Sequence, residues 1–334
     1  MGLAPDIHMK EISYIQAIND TLHEEMERDP SIIVIGEDVG IYGGVFKATY
    51  GLLEKFGEDR VIDSPLAESV IVGASVGASL TGLRPMVEIQ FADFISPALD
   101  QLVQQAAKLH WRTNGALKAP ITVRCPYGGG VGGGAYHSQS NEAWFTHTPG
   151  LIVVAPSTVY DAKGLLKSAI RCDDPVIYFE HKKLYRSIKE EVPEEDYVIP
   201  LRKAAVARKG KDVTLISFGL MFHRSLEAAQ RLSHEGIGAE VIDLRTLSPL
   251  DKDTLFESVG KTQRAVIVYE APKTGGVGAE IAAILSEELF WRLDAPIRRV
   301  AGFDTPFPFP SQMENYYLPS VEKIMKEVKE TCEA

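Results

Sequence analysis

Four stretches of this 334-residue sequence carry side chains of a type and spacing that chemistry can use. The first is Asp63-Ser64-Pro65-Leu66-Ala67-Glu68. Ser64 suits a helix N-cap and Pro65 the first helical position, which puts Glu68 in the first turn. The helix it opens, Val70 to Ala78, is all small and apolar residues, so it is expected to be buried on most sides. A carboxyl at the mouth of such a helix can have a raised pKa and serve as proton donor or acceptor. The plainer alternative is that Glu68 complements the helix dipole. The second stretch is Glu88-Ile89-Gln90-Phe91-Ala92-Asp93-Phe94, where a strand ends and a helix begins. In open α/β sheets ligands bind beyond the carboxyl ends of strands, and an amide with two aromatics there could sandwich a flat ring; alternatively Phe91 and Phe94 simply pack in the core. The third has six glycines in the seven residues 128–134, followed by Ala135-Tyr136-His137-Ser138-Gln139-Ser140. Glycines expose amides and permit positive φ, and a histidine presented by such a loop titrates near neutral pH and can act as acid or base. The fourth, Val268 to Glu280, reads as strand, glycine turn and helix. It is better taken as a tight turn than as an anion site.

Other patterns fail on context. Gly73-Ala74-Ser75-Val76-Gly77 matches the hydrolase nucleophile elbow formally, but the elbow needs a strand and a sharp turn before its helix, and this match lies inside a helix. The glycine loop is not a P-loop, because no Gly-Lys-Ser/Thr closes it. His-Glu-x-x-His, Cys-x-x-Cys and EF-hand patterns do not occur. His137 and His147 lack a supporting ligand pattern, so the metal ligands stay unassigned.

The elements that must position these groups follow from periodicity. Apolar β-branched runs at 31–36, 85–91, 120–125, 151–155 and 175–179 read as buried strands, with helices between them at 66–81, 92–113 and 159–171. Such alternation predicts α/β architecture around a mainly parallel sheet. Residues 189–202 hold five acids and two prolines in their first twelve positions and read as an extended, solvated linker. Beyond it, strands at 213–218, 239–244, 265–270 and 297–301 alternate with helices at 222–235, 251–259, 278–292 and 319–332, with Gly236 placed for a left-handed C-cap. The expectation is two doubly wound domains, 10–188 and 203–334. Residues 1–9 read as a leader contributed by an expression vector.

Length agrees with that division at roughly 150 residues per domain. The formal net charge of −11 argues against a nucleic-acid-binding surface. No run of about 18 apolar residues suggests a membrane span. Cys125, Cys172 and Cys332 are too few and too scattered for a disulfide framework. Composition therefore points to a cytoplasmic protein and to no particular reaction.

The combination of segments is more informative. Asp-Ser-Pro-Leu-Ala-Glu at 63–68, Glu-Ile-Gln-Phe-Ala-Asp-Phe at 88–94 and Tyr-His-Ser-Gln-Ser at 136–140 resemble the β subunit of the thiamine-diphosphate-dependent 2-oxoacid dehydrogenase component. Asp161 to Lys167, Glu240 to Thr246 and Gly302 to Pro308 extend the resemblance from about residue 10 to the end. The second motif and the glycine-rich stretch look most like the branched-chain type, with pyruvate or acetoin as alternative substrates. The resemblance implies a pyrimidine-binding domain followed by a transketolase C-terminal-like domain. It implies that Glu68 hydrogen-bonds N1′ of the aminopyrimidine of thiamine diphosphate. It also places Phe94 and Gln90 beside that ring, has Leu66 line the pocket, and gives His137 a role in acyl transfer to lipoamide.

The family's Gly-Asp-Gly…Asn-Asn motif for diphosphate and magnesium is absent from the sequence. The resemblance then implies that an α subunit holds that end of the cofactor with its Mg2+, in an assembly of two α and two β chains. The lipoyl-bearing acyltransferase is the further partner, and a 2-oxoacid the substrate. Many relatives also bind potassium near the segment equivalent to Ala169–Pro175. Cys172 stands there where an acid is common, and Asp173 or Asp174 could compensate. Two other function classes remain: a non-catalytic docking module of the same fold, and a hydrolase using Ser75.

Overall fold

In the computed structural model, which describes residues 8–334, the chain forms two principal sheets and one small one. The first principal sheet runs, edge to edge, through Thr246–Ser248, Ile152–Val154, Val176–His181, Thr122–Tyr127, Arg84–Glu88, Ile32–Gly36 and Val61–Asp63. All its pairings are parallel except that of the Thr246–Ser248 edge. Its central strands are mostly apolar and buried on both faces, as is usual for parallel strands. Helices Tyr14–Arg28 and Val159–Arg171 cover one face, and helix Glu68–Ser79 with the segment 92–112 covers the other. The second sheet orders Arg298–Gly302, Ala265–Pro272, Val213–Ser217, Ala239–Asp243 and Ala205–Arg208, the last antiparallel.

Five expectations change. Residues 1–7 of the presumed leader lie outside the described residues, but Met9 opens the strand Met9–Ser13. That strand pairs antiparallel with Lys189–Pro193, so the start of the acidic linker is extended yet hydrogen-bonded. Ser64 does not cap a helix: its Oγ donates to the Pro65 carbonyl, and helix Glu68–Ser79 starts at Glu68 itself with Ala67 as its cap residue. That helix is buried on one face only. Ile71, Val72, Ser75 and Val76 are inside, while Val70, Ala74 and Gly77 form an exposed apolar stripe at spacings of four and three. Finally, the helix expected over 92–113 is broken into a 3-10 turn (Ala92–Ala98), a π-helical stretch (Gln101–Ala106) and an α-helix (Ala107–Arg112). Pro97 has no N–H to donate inside the first piece, and π turns often mark functional segments.

The halves are not independent. The edge strand Thr246–Ser248 is donated to the first sheet by the second half. Arg245 reaches back with a bidentate pair to Asp161, at 2.7 and 2.8 Å, and one apolar cluster runs from Val72 and Val123 through to Ile267 and Ile281.

At this seam sits Asp243. Burial, and then the nearby Asp161 charge, push its carboxyl up to about 7. Against an unfolded value of about 3.9, the neutral carboxyl contributes stability that is fully present below pH ~4 and is lost as pH rises through ~7. An Asp243→Asn chain is therefore expected to gain thermal stability relative to the native chain as pH goes from 5 to 7. Parallel Tm-against-pH curves for the two proteins would contradict this.

Candidate active site

Four parallel strands end side by side at their carboxyl edge, and the chain leaving each delivers one set of polar or aromatic groups. Glu37 and Asp38 follow Ile32–Gly36. Leu66 and Glu68 follow Val61–Asp63. Gln90, Phe91 and Phe94 follow Arg84–Glu88. The glycine loop and His137 follow Thr122–Tyr127. This is the crevice in which open α/β sheets bind ligands.

Glu68 is half-buried as the first residue of its helix. Burial, with the charges of Glu68 and Asp38, raises the Glu37 carboxyl above its ordinary value. Glu37 Oε1 is buried and has no hydrogen-bond partner. Gln90 Nε2 donates to Asp38 Oδ2 at 3.3 Å and to the Glu37 carbonyl at 3.5 Å, which orients the amide toward the same corner. Leu66 is 79% exposed beside it.

The aromatic groups form a second, contiguous cluster. The His137 ring stands edge-to-face against Phe91, with centroids 4.5 Å apart, and against Phe94 at 5.4 Å. Such contacts fix a ring's orientation as well as its position. The His137 loop is tied to the 3-10 turn by the Gln139 N–H donating to Asp93 Oδ1 and by Asn141 Nδ2 donating to the Ala92 carbonyl. Behind Phe91 lies Lys182, its Nζ 5.8 Å from the ring centroid. Burial lowers this ammonium to about 8.

The structure thus gathers Phe94 and His137 in one cluster and Gln90 with Glu37 and Asp38 in its neighbour, with Glu68 acting electrostatically on Glu37. Glu37, Asp38 and Lys182 went unnoticed in the sequence. The first two could have been found by applying the strand-end rule to Gly36-Glu37-Asp38; a buried lysine beside an aromatic leaves no local signature.

The donor set fits a flat, basic heteroaromatic ring. It offers a half-exposed carboxylate, an orphaned carboxyl oxygen, an oriented amide and an aromatic wall. Other candidates fit less well. Ser75 is 1% exposed and its Oγ donates to the Ile71 carbonyl at 2.7 Å, so it is a packed helix residue rather than a nucleophile. In the fourth stretch, the Thr274 N–H and hydroxyl both donate to Asp304, and a Cβ on Gly278 would lie 2.1 Å from the Tyr269 ring. These are the marks of a tight turn. Potassium does not fit Ala169–Pro175. Arg84 already donates to the Ile170 and Cys172 carbonyls and to Asp173. Lys118 takes the other Asp173 oxygen, and Arg202 pairs with Asp174. Three cations fill the place of one, and a fourth would be repelled. Among the described residues no group of three or more His, Cys, Asp or Glu could hold a metal ion.

Comparison with known proteins defines the class first. Residues 10–188 match the family model of the transketolase pyrimidine-binding domain, and residues 202–324 that of the transketolase C-terminal domain. A solved split-gene transketolase, described as an inactive beta4 tetramer, superimposes with a TM-score of 0.79 over 96% of this chain and 98% of that one. At 24% identity this likeness shows the fold alone. The 2-oxoisovalerate dehydrogenase subunit beta of Bacillus subtilis is 53% identical over 97% of this chain and all of that protein. The pyruvate dehydrogenase E1 component subunits beta of Staphylococcus epidermidis and Bacillus subtilis are 51% and 49% identical over the same shares. The chain belongs to the family of β subunits of the thiamine-diphosphate-dependent E1 component of 2-oxoacid dehydrogenases, whose members work with an α subunit.

Proposed function

We propose that this chain supplies the aminopyrimidine half of a thiamine diphosphate site, and the acyl-transfer histidine, in an E1 component acting on branched-chain 2-oxoacids. The observation that carries the first part is Glu68 set beside the Glu37 carboxyl, whose buried Oε1 has no partner, at an open strand-end crevice. When bound, the cofactor supplies the nucleophilic carbon and the electron sink for decarboxylation. Glu68 holds a proton between its carboxyl and pyrimidine N1′. Beside it, burial and the charges of Glu68 and Asp38 raise the proton affinity of Glu37. Phe94 would wall the ring, Gln90 would present its amide to it, and Leu66 would line the pocket. His137, clamped by Phe91 and Phe94, hands a proton to the lipoyl sulfur that leaves the ring disulfide as the acyl group is transferred.

The diphosphate and Mg2+ go to the α subunit, since no Gly-Asp-Gly occurs in this chain. The exposed apolar residues Leu66, Val70, Ile41 and Tyr50 around the crevice support an extensive subunit contact there, in an assembly of two α and two β chains. The acylated partner is the lipoyl domain of the acyltransferase component. No helix among the described residues is long and apolar enough to cross a membrane. A cytoplasmic site of action goes with this reading.

The branched-chain assignment rests on the Glu-Ile-Gln-Phe-Ala-Asp motif and the glycine-rich stretch. Its test is kcat/KM of the reconstituted α–β complex on 3-methyl-2-oxobutanoate and on pyruvate. A preference of about 10–200-fold for the branched substrate is expected from the extra apolar carbons. A preference for pyruvate overturns it.

A further inference from the structure

The glycine loop that carries His137 is shaped like an anion-binding nest, yet its anions come from this chain. Gly128, Gly130, Gly132 and Gly134 all have positive φ, between +63° and +84°. This turns successive backbone N–H groups toward one side, as in loops that cradle phosphate. Two buried carboxylates from the second half occupy that side. The Gly129 N–H donates to Glu270. The N–H groups of Gly130, Val131 and Gly132 all donate to Glu314 Oε1, at 2.7, 3.2 and 3.2 Å, and Gly132 also reaches Oε2 at 3.3 Å. Glu314 and Glu270 are each 4% exposed. Three converging N–H groups satisfy a buried carboxylate well, and such charge-assisted bonds are the strong ones.

The remaining contacts of the loop point the same way. Glu270 also pairs with His181 at 2.9 Å. A Cβ on Gly129 would lie 2.1 Å from the Phe307 ring, and one on Gly134 would lie 3.0 Å from Phe309. The segment 303–317 therefore holds the loop from the second half. On the first half, Phe91 and Phe94 receive His137 itself. Between the two anchors lies only the short turn Gly134–Tyr136.

We propose that Glu314 is a positioning residue for His137. Its carboxylate is the built-in anion that fills the glycine nest, so the second half of the chain sets the geometry of acyl transfer made on the first. This rests on the reading of His137 as the acyl-transfer histidine. It also gives the glycine-rich stretch a structural role: the nest is an internal joint.

The test uses the reconstituted α–β complex and two assays, reductive acylation of a free lipoyl domain and reduction of an artificial electron acceptor that bypasses the lipoyl group. Glu314→Ala is expected to lower the ratio of the first activity to the second by about 10-fold or more, because small misplacements of a reacting group cost that much. Sodium formate, which can re-enter the vacated nest, is expected to restore part of the ratio, and sodium chloride at equal ionic strength less. Glu314→Gln keeps the side-chain shape and should show a smaller fall in the same ratio; it answers the question if the alanine chain does not assemble. A native ratio in both variants, or a fall in both activities together without response to formate, overturns the proposal. His137→Ala separates the two layers. If it lowers the ratio while the Glu314 variants do not, the positioning role fails and the histidine's role stands. If it leaves the ratio unchanged, the histidine's role fails and the proposal falls with it.

Discussion

Glu68→Ala is expected to lower decarboxylation by the assembled α–β enzyme about 10²–10⁴-fold, the usual worth of a positioned acid–base group, with assembly retained. The reasoning is local. Glu68 begins a helix whose buried face, Ile71, Val72 and Val76, does not involve its side chain, so truncation leaves the packing intact. What it removes is the carboxyl proposed to face the pyrimidine. Glu37 is not an equivalent replacement: burial raises its carboxyl above the ordinary value, and it already accepts a hydrogen bond from the Ala67 backbone. The loss should appear in kcat with either a lipoyl domain or an artificial acceptor, because it strikes the step common to both. Full activity in Glu68→Ala would leave the chain a docking module of the same fold.

The second large effect is on stability. Arg124 lies at the centre of the first sheet, fully buried. It donates to Glu88 at 2.6 Å on one neighbouring strand and to both oxygens of Glu180 at 2.6 and 2.7 Å on the other. The Tyr185 hydroxyl completes the Glu180 site at 2.6 Å. Arg124→Met strands two buried carboxylates without a counter-ion and is expected to cost about 3–5 kcal/mol. Burial already raises Glu88 in the native chain, and loss of the guanidinium drives it further, so Glu88 would take up a proton in the variant. Adding Glu88→Gln and Glu180→Gln should recover much of the loss, since the penalty is buried charge rather than volume. Chemical unfolding of the three chains measures this; a single variant as stable as the native protein would show that the triad contributes no net stability.

The same triad helps to build the site. Its two carboxylates lie at or next to the ends of their strands: Glu88 is the last residue of its strand, two before Gln90, and Glu180 directly precedes His181, the partner of Glu270. Locking three strand ends in register fixes where the loops depart.

Much of this arrangement was legible in the sequence because it is local. Five apolar β-branched runs in the first half and four in the second became strands, and His137, Phe94 and Gln90 emerged where strand ends predicted. Gly236 has a φ of +86°, as its place after helix Leu220–Ser233 required. What was not legible depends on partners far away in the chain. Ser64 carries the right chemistry for a cap, but the loop places its hydroxyl on the Pro65 carbonyl. The strand Met9–Ser13 exists only because Lys189–Pro193 comes back to pair with it. Thr246–Ser248 is too short for any periodicity and joins the sheet of the other half. The carboxylates in the glycine nest come from 141 and 182–184 positions away. The exposed stripe on helix Glu68–Ser79 misled for a related reason: its small apolar residues predict burial, and in the function proposed here the partner that buries them is another chain.

Dependence on that partner can be measured as carbon dioxide release. Release of carbon dioxide from 3-methyl-2-oxobutanoate would be followed with thiamine diphosphate and Mg2+ present, using this chain alone, its α subunit alone and the two mixed. No turnover is expected from either chain alone, and turnover by the mixture is expected to saturate at one α per β. Thiamine-diphosphate-dependent turnover by this chain alone would contradict it.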